Sequence, residues 1–372
     1  MTQLHRNTHA PYPLPSEKVL QFGTGILLRG LPDFFIDQAN RQGLFNGSVV
    51  VVKSTAGRAD EFARQDNLYT TLVRGVQGGK TVEEDFVNGC ISRVVSANDN
   101  WAEVLRTAAD PNVQVVISNT TEVGLQYVSE SVLQTPPASF PAKLAGWLYE
   151  RYRTLGRQAP ATVVIPTELI PDNGPLLRGF VLQLAAHNQL ETSFLDWLET
   201  HVLFCSSLVD RIVTNASAEA VGALPYTDPL AIQTEPYRLW AIEGNAAVRE
   251  ILGFAAAGAG VIVADDIAYY RERKLRLLNG THTISVCLAF LKGFDTVYQM
   301  MQDAETAAFV RQVMMDEIAP SVPIGDAADL RIFAEEVLDR FANPNIVHRL
   351  INITLQATSK MKMRNVPTLR RF

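Results

Sequence analysis

Lys274, Asn279 and His282 stand close together in an otherwise apolar stretch, RKLRLLNGTHTISVCLAFLKGF. The stretch reads as one helix. At about 100° per residue the three fall at roughly 0°, 140° and 80° around its axis, so they share one broad face. Leu275, Leu278 and Ala289 lie on the same arc, which argues against a solvent-facing surface. An amine, an amide and an imidazole on a buried face are costly unless they have partners or a task. The task that suits them is the interconversion of an alcohol and a carbonyl. An amine beside a cationic ring can take the hydroxyl proton as hydride leaves the neighbouring carbon. An amide can hold the developing alkoxide, and an imidazole can orient a second hydroxyl. On spacing alone, core residues satisfied by their neighbours remain the alternative.

Hydride transfer needs an acceptor, and a site for one stands near the N-terminus. Gly23-Thr24-Gly25 falls between the short apolar run KVLQF and a helical stretch that begins near Leu27. Glycines let the backbone approach a pyrophosphate, and a helix N-terminus offers free N–H groups to it. The third glycine of the usual pattern would fall at Leu28, and Gly30 follows two residues later. The next strand should end in an acidic residue for the ribose of NAD, but it ends Lys53-Ser54-Thr55 with Arg58 nearby. Read alone, those basic residues lean toward NADP. Ser118-Asn119-Thr120-Thr121-Glu122 follows another strand, where Asn119 is placed to meet the cofactor, or else to cap the next segment. Asp172-Asn173-Gly174 is a turn signal just past a further strand, which makes Asn173 a site candidate.

The elements that must position these residues alternate. Strands are expected at 18–22, 47–54, 113–118 and 161–168. Helices are expected at about 27–42, 101–110, 141–155, 174–189 and 193–204. The four consecutive valines at 49–52 indicate a strand buried on both faces, as in a parallel sheet. Residues 231–244 look extended and 258–267 like one more strand; from Tyr269 onward the pattern is helical. The fold class is therefore α/β with a mainly helical C-terminal part. Domains are expected at 1–265 and 266–372.

The 372 residues carry a formal net charge of -6 and three widely spaced cysteines. That balance argues against a nucleic-acid partner and against a disulfide framework or Cys-rich metal site. The N-terminus lacks the apolar core of a signal peptide, and no long uncharged apolar run reads as a membrane span. A cytoplasmic protein with no membrane partner is expected. Oligomeric state is not legible in the sequence.

Together, Phe-Gly-Thr-Gly-x-Leu-x-Arg-Gly at 22–30, Asp-Asn-Gly at 172–174 and Lys-x-x-x-x-Asn-Gly-x-His at 274–282 resemble the mannitol dehydrogenase family of long-chain polyol dehydrogenases. The stretches SNTTE, PTELIPDNG, FCSSLVDRIV and DDI…YxERK are most similar to its hexuronate-reducing members. The resemblance runs from about residue 19 to the end. It implies a Rossmann-type N-terminal domain and a mainly α-helical C-terminal domain. It makes Lys274 the general acid/base, has Asn173 and Asn279 hold the carbonyl or alkoxide oxygen, and puts His282 on substrate hydroxyls. The dinucleotide would lie on strand residues Val19, Leu20, Gln21 and Phe22, the turn Gly23, Thr24 and Gly25, and the helix start Ile26, Leu27, Leu28, Arg29 and Gly30. It implies NAD in spite of the basic strand end, no metal, and a hexuronate substrate: tagaturonate reduced to altronate. Relatives continue past the position of Phe372, so the helical domain is expected to be shortened. The alternatives are fructuronate/mannonate, mannitol or mannitol 1-phosphate as substrate, or a non-catalytic dinucleotide-binding protein.

Overall fold

Six short β-branched runs form one parallel sheet: β1 (Glu17–Phe22), β2 (Ser48–Lys53), β3 (Ile91–Ser96), β4 (Val115–Ser118), β5 (Thr162–Pro166) and β6 (Val202–Phe204). The computed structural model describes residues 2–55, 60–120 and 124–372. Arg58, Thr121 and Glu122, named above, lie outside them. The spatial order is β3-β2-β1-β4-β5-β6, with every pair parallel. The order reverses between β1 and β4, the switch point where a doubly wound sheet opens a ligand crevice. Phe22 pairs with both Val52 and Ser118, and Ser118 with Pro166, so the carboxyl ends of β2, β1, β4 and β5 line up in one row.

The valine run shows why this sheet needs cover on both sides. Val50 and Val52 join Leu20, Val116 and Val164 in one apolar core with Trp147, Leu177 and Phe194. Val49 and Val51 join Val19, Val115 and Ile165 in another with Phe35 and Ile36. Alternate side chains of one strand thus feed two cores, so its sequence is continuously apolar.

The helices over the sheet differ from expectation in two places. The stretch 27–42 is two helices, α1 (Ile26–Gly30) and α2 (Pro32–Arg41). Pro32 has no N–H to donate and starts a helix instead of continuing one, so the chain turns at Leu31, with φ -133° and ψ -73°. The stretch expected as helix over 193–204 is helical only over Thr192–His201; Val202–Phe204 leaves to pair with β5, where sheet edge bonds replace the helical ones. The strands Tyr69–Gln77 and Lys80–Asn88, joined at Gly78 and Gly79 with positive φ, were not read from sequence.

Contacts divide the chain into two compact units. One holds 1–72, 85–234 and 238–265; the other holds 266–372 together with 73–84 and 235–237. In the second, the chain from Ala268 to Leu291 is helical throughout, and its Leu277, Leu278, Val286 and Ala289 pack with Met314, Phe333, Val337 and Phe341. A buried ion pair, Glu235 with Arg340, braces this unit through bonds of 2.9 Å from both Nε and Nη2. Among the described residues no helix is long and apolar enough to cross a membrane.

Candidate active site

The first unit presents a cavity of about 610 Å³ at the carboxyl ends of its strands. Phe22, Gly23, Thr24 and Gly25 form one wall, Ser54 and Thr55 another, and Asn119 and Thr120 a third. Gly23 turns the chain here with φ +127°. A β-carbon on it would stand 2.9 Å from Leu28 Cδ1 and 3.2 Å from the Asn119 carbonyl oxygen. Leu28, in the place of the pattern's third glycine, thus fills the space beside the first. Gly25 is different: it has φ -61°, and a β-carbon on it would meet nothing within 4 Å. Its backbone faces open space.

The rest of the expected cradle packs elsewhere. Val19 and Leu20 are in the two cores, and Gln21 is fully buried and donates to Asp33. Ile26 and Leu27 are half-buried against the core. Arg29 is buried, donates to the Leu230 carbonyl, and lies over the Tyr69 ring. Gly30 packs against Val213 and Thr234. Lys53 turns its ammonium to Thr55, at 3.5 Å.

The loops after β4 and β5 hold each other. Asn119 donates to the carbonyl and hydroxyl of Thr167, at 3.2 and 3.0 Å, and Thr167 donates to the Ser118 carbonyl at 2.7 Å. Buried Glu168 accepts from Ser118 Oγ at 3.2 Å and from the Thr120 N–H at 2.8 Å. Burial pushes its carboxyl above the usual range, and those donors pull it back in part. Asn173 completes the set. Its Nδ2 lies 3.0–3.1 Å from the carbonyls of Pro166, Glu168 and Ser207, and its Oδ1 accepts the Ser207 N–H at 2.9 Å. The amide expected to hold a substrate oxygen is therefore committed to backbone. Its position beside the strand end was legible in sequence, but its partners were not, because Ser207 is remote in the chain.

In the second unit, Lys274 begins a π-helical stretch, Lys274–Gly280. The angles assigned from an ordinary helix do not apply there. Hydrogen bonds in a π-helix close over five residues, so Lys274 and Asn279 stand one hydrogen-bonded turn apart and share a face. His282 follows three residues later at the start of an α-helix, Thr281–Leu291. The π stretch disturbs the carbonyl ladder where it rejoins the α-helix, and the end of the chain supplies donors there. Arg364 donates to the Asn279 carbonyl at 3.4 Å and Asn365 to that of Gly280 at 3.0 Å. Arg276 donates back to the carbonyls of Met363 and Arg364. None of these three residues stands out in the sequence.

The His282 ring is buried, stacked on Phe341 at 4.1 Å and edge-on to His348 at 5.0 Å. Burial, followed by Arg340 and Lys360, lowers the pKa of His348, which favours its neutral form. Lys274 and Asn279 are half-buried. Arg273 is half-buried over the rings of Tyr269, Tyr270 and Phe333, where its flat guanidinium stacks.

A parallel sheet in this order, a glycine turn at its switch point and a helix carrying lysine, asparagine and histidine define a Rossmann-type dehydrogenase acting on CH–OH groups. The profile of the mannitol dehydrogenase Rossmann domain matches residues 17–252 and that of the mannitol dehydrogenase C-terminal domain residues 266–372. The chain belongs to the mannitol dehydrogenase family. It is similar to the altronate oxidoreductase of Halalkalibacterium halodurans, with 42% identity over 95% of this chain and 70% of that one. It is also similar to that of Bacillus subtilis, with 38% identity over 100% of this chain and 78% of that one. Among solved structures it resembles the mannitol 2-dehydrogenase of Pseudomonas fluorescens in ternary complex with NAD and D-mannitol. There the TM-score is 0.76 and the identity 25%, over 97% of this chain and 76% of that one. The fold is also that of a D-sorbitol dehydrogenase, with TM-score 0.83 and 20% identity, over 99% of this chain and 78% of that one.

Proposed function

We propose that this protein interconverts D-tagaturonate and D-altronate with NAD as the hydride carrier. The observation that carries the reading is the 42% identity to an altronate oxidoreductase over 95% of the chain, spanning both units. NAD is supported by the similarity to a dehydrogenase solved with that cofactor, in spite of the basic end of β2. The dinucleotide lies on Phe22, Gly23, Thr24 and Gly25, with Asn119 at the strand end beside it. The remainder of 19–30 holds the turn in place.

Lys274 gives a proton to the carbonyl oxygen during reduction and takes it back during oxidation. A lysine suits both directions because its ammonium also stabilises the oxygen as charge builds on it. Asn279, one π turn away, holds the same oxygen. His282 donates to or accepts from a neighbouring hydroxyl, with Phe341 fixing the plane of its ring. Asn173 acts through the loop it ties down, as a positioning residue, because its amide is already engaged. The substrates are small sugar acids, and neither nucleic acid nor membrane takes part.

The test is a panel of tagaturonate, fructuronate, fructose and fructose 6-phosphate, followed by loss of NADH absorbance. Tagaturonate should be turned over with the highest kcat/KM. Turnover of fructuronate without tagaturonate would reject the substrate and keep the enzyme class. NADH binding without turnover of any of the four would favour a non-catalytic role.

A further inference from the structure

The dinucleotide cavity has one feature that the glycine turn does not explain. Lys143 lines it and is only 2% exposed. It sits in the first turn of the helix Phe140–Leu155, whose N-cap is Ser139. An ammonium carries three donors. The one hydrogen bond that Nζ makes among the described residues is to the Ala138 carbonyl, at 2.7 Å. The nearby carboxylate, Glu130, spends its oxygens on the backbone N–H groups of Ala138 and Ser139, at 2.6 and 2.9 Å. Lys143 is also the only ionisable side chain among the described residues lining the cavity. A buried cation without an ion-pair partner is expensive, and burial lowers its pKa accordingly. The cost is recovered when an anion enters.

We propose that Lys143 binds the phosphate oxygens of the dinucleotide, and that it meets the diphosphate bridge, not a phosphate on the ribose. The inference rests on the reading of this cavity as the NAD site. The diphosphate is favoured because the glycine turn, whose open backbone at Gly25 suits a close approach, lines the same cavity. With Lys143 supplying charge, the site needs no basic residue in the glycine turn itself. The cation also raises the local concentration of an anionic cofactor in a protein of net charge -6.

The experiment is calorimetric titration of the full chain and of Lys143→Met and Lys143→Gln with four probes: NADH, ADP, adenosine and adenosine 2′-monophosphate. Gln retains a donor for the Ala138 carbonyl, so it separates loss of charge from loss of that bond. Thermal unfolding of each variant without ligand establishes that it is folded. Both variants should bind NADH and ADP about tenfold or more weaker, with adenosine unchanged, since a charge-assisted bond is lost only where a phosphate is present. The salt dependence of ADP binding should flatten in both. Equal weakening of adenosine and ADP, or no weakening of either, would overturn the assignment and leave Lys143 structural. Selective weakening of adenosine 2′-monophosphate would overturn the choice of the diphosphate. If the unmodified chain binds neither NADH nor ADP, the cofactor reading itself falls, whatever the variants do.

Discussion

Gly23 and Gly25 are two residues apart, yet alanine at each should have opposite consequences. At Gly23 the backbone has φ +127°, a region that L side chains rarely enter. Forcing a residue there costs about 1–3 kcal/mol. The new methyl would also press on Leu28 Cδ1 at 2.9 Å, which can move, and on the Asn119 carbonyl at 3.2 Å, which is backbone. For a unit of this size each kcal/mol lowers the melting temperature by about 2–4 °C, so Gly23→Ala should melt roughly 2–12 °C lower without any ligand. At Gly25 the backbone is at φ -61°, ψ 152°, which alanine adopts freely, and no atom lies within 4 Å of the new methyl. The unliganded protein should therefore melt unchanged or slightly higher, because the unfolded chain loses freedom. If a diphosphate lies against that backbone, the methyl stands in its way. NADH affinity should fall about tenfold or more, equivalent to at least about 1.4 kcal/mol. Calorimetric melting and NADH titration of both variants check the pair. A Gly25→Ala protein that binds NADH as the parent does would refute the placement of the cofactor. A Gly23→Ala protein that melts with the parent would refute the conformational argument.

Three further outcomes follow from the same structure. Lys274→Met should keep NADH binding while lowering kcat for tagaturonate by about 10²–10⁴, the usual share of acid/base catalysis, and single-turnover absorbance separates the two effects. Arg340→Met should destabilise the helical unit by about 3–5 kcal/mol, because it takes the guanidinium away from the buried Glu235 carboxylate; calorimetry reads the loss, and replacing both partners together should cost less. Burial raises the Asp33 carboxyl to about 7. Below the unfolded value, about 3.9, both states hold the proton. As pH rises toward 7 only the unfolded state releases it, so folding loses free energy, on the order of a few kcal/mol by the upper end. Asp33→Asn cannot ionise, so its stability relative to the parent should increase between pH 5 and pH 8. A constant difference across that range would contradict the assignment.

Much of the fold was legible because its signals are local. The valine run announced a strand covered on both faces, and the alternation of elements announced an α/β sheet. The errors fell where tertiary pairing overrode a local pattern. Val202–Phe204 continued a helical periodicity but found a partner in β5. The stretch 27–42, expected as one helix, breaks at Leu31 because Pro32 starts a second. The site divides the same way. Lys274, Asn279 and His282 were visible as polar residues in an apolar run, and Gly23 and Gly25 as a turn after a strand. Lys143 was not, because one lysine in a helix gives no sign of whether it reaches solvent or a cavity.

The sequence by itself determined which chemistry is available: an amine, an amide and an imidazole at fixed spacing, and a glycine turn leading into a helix. These depend on covalent order and on conformational preferences of single residues. Only the tertiary structure decided how they are used. The π-helical stretch sets Lys274 and Asn279 one hydrogen-bonded turn apart on a shared face, where a regular helix would hold them about 140° apart. Donors from Arg364 and Asn365, more than eighty residues along the chain, meet carbonyls at its end. Ser207 occupies the Asn173 amide, and the fold buries Lys143 in the cavity wall. In each case the deciding partner is distant in sequence, so its contribution exists only once the chain has packed.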